Sequence, residues 1–270
     1  IAIIMGGYSS EYLISLKSGS VVFDSLTASL LYTPYCVHIF KDKWVYVDEK
    51  LEEHPVNKAD FSISLGANKI TFDCVFNAIH GAPGENGILQ AYFELLSIPH
   101  TSCNMYQAAL TFNKRDCLSV LKSYGILSAE AYFLNAGDPV DSVAIEAAVG
   151  FPCFVKANRS GSSFGVTKVY SKEELPKAIE AAFKEDNELI IEAFLDGTEV
   201  SVGVIRFEGE IQVLPITEIV TENDFFDYEA KYLGKSQEIT PARISDSQAA
   251  EVTKIAKTIY EVLKLEGFSR

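Results

Sequence analysis

Between Phe151 and Tyr170 the chain reads FPCFVKANRSGSSFGVTKVY: two β-rich runs, a loop of small residues between them, and one lysine at the loop's entrance. The pattern predicts strand, phosphate loop, strand. Phe154 and Val155 lead into Lys156, and VTKVY (166–170) resumes strand-like alternation after Gly161, Ser162, Ser163 and Gly165. Glycines let backbone N–H groups come close to an anion because no Cβ stands in the way. The serines add hydroxyl donors, and Lys156 adds a point charge suited to phosphate. A Walker A loop is excluded, because there the lysine follows the glycines and runs into a helix. The plainer alternative, a hairpin tip made of ordinary glycine-serine turn residues, stays open on this segment alone.

Such a loop needs a sheet to stand on, and 270 residues that are 48% hydrophobic suffice for two or three small α/β units with a cleft between lobes. Net charge is −14, from 23 basic and 37 acidic residues, with no basic block. Phosphate-backbone binding requires clustered Lys and Arg, so nucleic acid is excluded as a partner. The opening run IAIIM is too short for a signal peptide or a membrane span and reads as a buried strand. Five cysteines (Cys36, Cys74, Cys103, Cys117, Cys153) are scattered, without a CxxC pair. They read as reduced, mostly buried thiols of a cytoplasmic protein. Beginning at Ile1 rather than a methionine and stopping at Arg270 inside a strand-like segment, the sequence reads as trimmed at both ends.

In chain order, Ile1–Met5 predicts a strand that Gly6-Gly7-Tyr8-Ser9-Ser10 turns into a helix carrying Glu11 in its first turn, the opening of a doubly wound parallel-sheet lobe. Tyr35–Phe40 and Lys43–Val47 predict short strands, and DCVFNAI (73–79) another buried one. It ends in HGAPGENG (80–87), before helical spacing over 88–96. Ligands in such folds sit at the carboxyl ends of strands, which brings Glu11, His80 and Glu85 to one edge. A helix-terminal acid and a structural histidine are the commoner fates of such residues. Two short helices are expected over 104–124, with Lys114 opening the second. A cation there opposes the helix dipole unless an anion approaches. Strands at 130–134 and 188–191, helices at 142–149 and 173–183, and a hairpin of 199–207 with 210–216 around Glu208-Gly209 follow. TENDFFDYEAKYLG (221–234) lacks core periodicity and reads as a lid loop. Ser245-x-x-Gln248 signals a capping box for a helix whose stripe is Val252, Ile255, Ala256, Ile259 and Leu263, ahead of a strand at 268–270.

Taken together and in this order, GGYSSEYLISLKSG (6–19), HGAPGENGILQ (80–90), Lys114, VKANRSGSSFGV (155–166), EAFLDGTEVSV (192–202), FFDYEAKY (225–232) and GFSR (267–270) resemble the D-alanine:D-alanine ligases of the ATP-grasp superfamily, across essentially the whole chain. The resemblance implies an α/β, three-lobed ATP-grasp architecture: an N-terminal substrate-binding lobe at 1–101, then a central lobe at 102–195 and a C-terminal lobe at 196–270 that grip ATP as two α+β lobes. It implies that Lys114 and Lys156 hold phosphates under the loop with Ser162 and Ser163. Adenine would be read through the backbone of Glu192, Ala193 and Leu195, ribose would be held by Glu199, and Lys231 would reach the γ-phosphate. Glu11 would pair with the first D-alanine's ammonium beside His80, Ser162 and Tyr232 would join Glu11 in a relay, and Arg270 would stabilise charge at the acyl centre.

The implied reaction turns a carboxylate into an acyl phosphate that the second amine attacks, so cationic clamps and oriented amides in a site closed from water are what the protein must supply. ATP and two Mg²⁺ ions, with Mn²⁺ as a substitute, are the implied cofactors, the metal ligands falling beyond Arg270. D-alanine and ATP are the implied partners, with room for a homodimer. Asn86, Ala157 and Ser160 depart from the family's usual aspartate, proline and acid, at positions given no chemical role. A D-alanine:D-lactate or D-alanine:D-serine ligase, and a nucleotide-binding module without catalysis, are the competing readings.

Overall fold

The computed structural model describes residues 1–221 and 236–270. Its chain divides into two compact units, Ile1–Leu110 and Thr111–Arg270.

In the first unit, β1 (Ala2–Gly6) is buried along its whole length. Its side chains alternate between two faces, which is why the run is apolar without a break. Ala2 and Ile4 join a core of Val37, Ile39, Phe61, Ile63, Val75, Leu89 and Phe93. Ile3 and Met5 pack instead with Leu16, Val22, Phe23 and Leu26, which lie on α1 (Tyr12–Thr27). Parallel ladders join β1 to β2 (Tyr35–Ile39) and to β7 (Val75–Asn77), so the doubly wound expectation holds at this end of the sheet. The other strands, β3 (Trp44–Val47), β4 (Glu53–Asn57), β5 (Ser62–Leu65) and β6 (Asn68–Ile70), extend it as an antiparallel meander, giving the order β6-β5-β4-β3-β2-β1-β7. The expected sheet is therefore mixed rather than parallel throughout. Strands β4 to β6 are short and half polar, and join the core through Val56 and Ile63 as well as by their ladders. Helix α2 (Ile88–Leu95) covers one face through Leu89 and Phe93.

Helix α3 (Met105–Phe112) runs into α4 (Lys114–Ser123) through Asn113, whose side chain caps α4 by accepting the Asp116 N–H. In the second unit, β8 (Ala131–Asn135), β9 (Cys153–Ala157), β10 (Thr167–Val169) and β11 (Glu188–Ala193) form an antiparallel sheet in the order β10-β9-β11-β8. Helices α5 (Ser142–Val149) and α6 (Leu175–Ala182) bring Ile145, Val149, Leu175, Ala178, Ile179 and Ala182 onto it. Along β9, Cys153, Val155 and Ala157 point into this core, which sends Phe154 and Lys156 to the opposite face.

The predicted strand at 199–207 is divided. Val200–Ser201 (β12) pairs with β15 (Thr217–Thr221), which continues to β16 (Ser236–Ile239), whereas Val204–Phe207 (β13) pairs with β14 (Glu210–Val213) and β17 (Phe268–Ser269). The break falls at Gly203, where a Cβ would stand 3.0 Å from both Leu214 and Phe268. Helix α7 (Asp246–Val262) starts with the predicted capping box at Ser245 and Gln248. Of the expected stripe, Leu263 is buried, Val252, Ala256 and Ile259 are half-buried and Ile255 is 40% exposed, while Tyr260, 1% exposed, is the anchor the pattern did not include. The Tyr260 hydroxyl accepts the Arg206 N–H and donates to the Gly267 carbonyl, tying the helix to β13 and to the turn before β17.

Candidate active site

In the first unit two glycine turns close on each other at the carboxyl ends of the parallel strands β1 and β7. Tyr8 N–H donates to the Ala82 carbonyl at 2.7 Å, and Ser9 Oγ to the His80 carbonyl at 2.9 Å. Gly81, at φ +72°, lies so near Glu11 that a Cβ would fall 2.9 Å from the Glu11 carboxylate. Glu11 sits at the N-cap of α1 but its side chain does not cap that helix, and the residue is 3% exposed. The carboxylate therefore lies beside Gly81 and does not cap its own helix. His80 Nε2 lies 3.0 Å from Ser18 Oγ on α1. Glu85 accepts the Gly81 N–H at 2.6 Å and so shapes this turn. Ser15, which sequence reasoning passed over, is fully buried; it accepts the Gly6 N–H and donates to the Ala78 carbonyl, both at 2.8 Å, clamping α1 to both strand ends.

In the second unit the loop between β9 and β10 carries positive φ at Ser162 (49°), Ser163 (61°) and Gly165 (66°). With the Phe164 N–H donating to the Gly161 carbonyl at 3.0 Å, the two left-handed serines are the centre of a tight turn of the primed kind common in hairpins, so the backbone of these two residues by itself fits either reading of the loop. Lys114, at the first turn of α4, sends its ammonium to the carbonyls of Ser160 (2.6 Å) and Asn158 (3.1 Å) on this loop. Lys156 is half-buried on the other face of β9, where its ammonium meets Glu192 Oε2 at 2.6 Å and stands 5.2 Å from the Phe154 ring centre. The pairing follows from register. Glu192 is opposite Phe154 on β11, and Lys156 is two residues along on the same face.

Beyond Ala193 the backbone leaves the sheet. Ala193 N–H donates to the Glu130 carbonyl and Phe194 N–H to the Pro152 carbonyl, while Leu195 is exposed. Lys168 lies 4.1 Å from the Phe194 ring centre. The exposed Glu199 has its carbonyl held by the Ile219 N–H at 2.9 Å, which fixes its backbone beside β15. Arg270 follows β17 and is exposed. Of the loop predicted at 221–234, Thr221 instead ends β15 and the rest, with Lys231 and Tyr232, lies outside the described residues, as does the Tyr232 part of the relay expected with Glu11 and Ser162.

The cysteines are less buried than expected: Cys153 is fully buried and the other four half-buried. Burial pushes the Cys36 and Cys153 thiols up to about 11, which opposes thiolate chemistry at neutral pH. Among the described residues, Asp48, Glu52 and His54 stand close enough to share a metal ion. This group sits at the β3–β4 turn of the first unit, where Asp48 Oδ2 meets His54 Nε2 at 3.0 Å. A site containing imidazole fits Mg²⁺ poorly, so the donor set does not match the expected ions. A cavity of about 450 Å³ against α7, lined by Arg206, Lys257, Glu261 and Lys264, takes no residue from the loop between β9 and β10. Among the described residues no helix is long and apolar enough to cross a membrane.

The mixed seven-stranded sheet and the small sheets that follow it are those of an α/β protein of the ATP-grasp type. Sequence models described as D-ala D-ala ligase N-terminus and D-ala D-ala ligase C-terminus match residues 1–103 and 120–270. The D-alanine--D-alanine ligase of Flavobacterium johnsoniae is 65% identical over all of this chain and 83% of its own length. Among solved structures, D-alanyl-alanine synthetase A from Vibrio cholerae superposes with a TM-score of 0.85 at 26% identity, over 99% of this chain and 82% of the other. The VanG D-Ala:D-Ser ligase of Enterococcus faecalis superposes at 0.80 with 33% identity, over 99% and 83%. The chain belongs to the D-alanine--D-alanine ligase family, whose members are ADP-forming, ATP-dependent ligases.

Proposed function

We propose that this chain joins two D-alanines into D-alanyl-D-alanine with ATP converted to ADP and phosphate, supplying a precursor of peptidoglycan in the cytoplasm. The observation that carries the nucleotide half is the convergence of Lys114 on the carbonyls of a loop whose serines adopt positive φ, with Lys156 one strand position before that loop. Lys114 and Lys156 neutralise phosphate charge, and the N–H and hydroxyl groups of Ser162 and Ser163 orient the transferred group. The Leu195 amide and the backbone at Glu192 and Ala193 take the adenine, Glu199 takes the ribose hydroxyls, and Lys231 joins the phosphates. Glu11 holds the first ammonium beside His80, Ser162 and Tyr232 complete the relay, and Arg270 faces the negative charge that builds up as the second amine attacks the acyl phosphate. Positioning and charge stabilisation are the protein's whole share of this chemistry. Magnesium is the ion that such phosphoryl chemistry requires, and two ions fit the family's reaction. The three lobes of this reading divide at 101 and 195.

The likeness to a D-Ala:D-Ser ligase supports a second reading, in which the second substrate is D-serine. Phosphate release measured with D-alanine alone, and with D-alanine plus D-serine or D-lactate, separates the two, with mass spectrometry of the product. D-alanine alone should stimulate ATP turnover and give the dipeptide. Turnover indifferent to D-alanine would leave only a nucleotide-binding module, and a mixed product in preference to the dipeptide would favour the second reading.

A further inference from the structure

We infer that Asn158 is a positioning residue that sets where both phosphate-directed lysines stand, and thereby sets affinity for the triphosphate; this rests on the nucleotide reading of the loop. Asn158 is the first residue after β9, two places beyond Lys156, and is fully buried. Its backbone N–H donates to the Glu188 carbonyl at 2.9 Å, which holds the end of β9 against β11. Its carbonyl takes both the backbone N–H of Lys114 (3.4 Å) and the Lys114 ammonium (3.1 Å). Its side-chain oxygen accepts the Arg115 N–H at 2.9 Å. Its side-chain nitrogen donates to Asn113 Oδ1 and to Glu188 Oε2, each at 2.9 Å.

Every polar atom of this residue is therefore engaged, and the polarity is not interchangeable. The oxygen faces an amide that can only donate, and the nitrogen faces a carboxylate that, ionised, can only accept. One carboxamide thus joins the start of α4, the mouth of the loop and the start of β11. It places the Lys114 ammonium on the loop while fixing the strand that carries Lys156. Neither lysine touches the Asn158 side chain, so its contribution to phosphate binding passes through geometry. In sequence Asn158 is one polar letter after Ala157 and carries no motif.

The test is calorimetry of the full chain with ATP and with adenosine, beside steady-state D-alanine KM values and melting temperature. Asn158→Asp keeps the acceptor for Arg115 but sets an anion against Glu188. ATP should bind at least tenfold more weakly, adenosine within twofold of the unaltered chain, and the D-alanine KM values should hold. Adding Glu188→Gln should restore part of the ATP affinity, because the facing group can then donate. Asn113→Ser retains a helix cap while cutting the link to Asn158, and should weaken ATP several-fold without moving adenosine; this variant decides the matter should Asn158→Asp fail to fold. ATP and adenosine weakened equally, or a lowered melting temperature with unchanged ATP affinity, would overturn the inference and leave Asn158 a fold residue. If the unaltered chain bound no ATP, the nucleotide reading would fall and the inference with it.

Discussion

Replacing Lys156 by methionine removes the ammonium but keeps an aliphatic stem beside Phe154, so two consequences can be separated. The first is on stability. Removing one member of a buried ion pair costs about 3–5 kcal/mol, and an exposed pair is worth roughly 0.2–1 kcal/mol. The Lys156 and Glu192 side chains are 27% and 13% exposed, so an intermediate cost of about 1–2 kcal/mol is expected, because Glu192 is left half-covered with no cation at 2.6 Å. Glu192→Gln in the same chain should recover much of that loss, since the stranded charge is gone. The second consequence is on ATP. Loss of a charge-assisted phosphate contact is worth about 1.5–3 kcal/mol, or roughly 10- to 150-fold in Kd. Urea unfolding of the four members of the double-mutant cycle reads the first effect, and calorimetry with ATP the second. An ATP Kd within twofold of the unaltered chain would refute the phosphate role. Strictly additive stability losses would show that the pair is not energetically coupled, whatever its distance.

Two further perturbations test the packing of α1 on β1 and the ion pair of Glu218 with Arg243. Gly19→Ala should lower the urea midpoint without changing the slope: its Cβ would fall 2.9 Å from Met5 Cβ, and overpacking of about 1–3 kcal/mol outweighs a helix-propensity gain of about 1 kcal/mol. A higher midpoint would show that α1 moves freely away from β1. Arg243 binds the Glu218 carboxylate with Nε and Nη2 at 2.9 and 2.8 Å and adds its backbone N–H at 3.1 Å. These hydrogen bonds hold that carboxyl at about 2, against an ordinary 4.5. Because the folded value is depressed, the resulting stability is fully present above 4.5 and fades as pH falls toward 2. Glu218→Gln should flatten the melting temperature over that window, and an unchanged acid slope would count against the pair.

Sequence determined those parts of this protein whose causes are local. Continuous apolar letters make β1; the spacing of Leu175, Ala178, Ile179 and Ala182 makes α6, and all four are buried. Ser245 with Gln248 starts α7 by a hydrogen-bond exchange that involves only neighbouring residues. Glycines after β1 and β7, and the Gly-Ser loop after β9, were legible because particular backbone conformations demand small residues. Tertiary structure decided what depends on partners distant along the chain. Strands β4, β5, β6, β15 and β16 exist because a neighbouring ladder completes their hydrogen bonds, and Pro55 within β4 even argues against a strand when read alone. Tyr260 is buried in place of Ile255 because its hydroxyl finds Arg206 and Gly267. Lys156 meets Glu192 only through the register of β9 against β11, and Asn158 draws on partners up to 45 residues away. A hydrogen bond has no sequence signature when its donor and acceptor are brought together by a sheet rather than by a turn, and that is where the site of this protein was hidden.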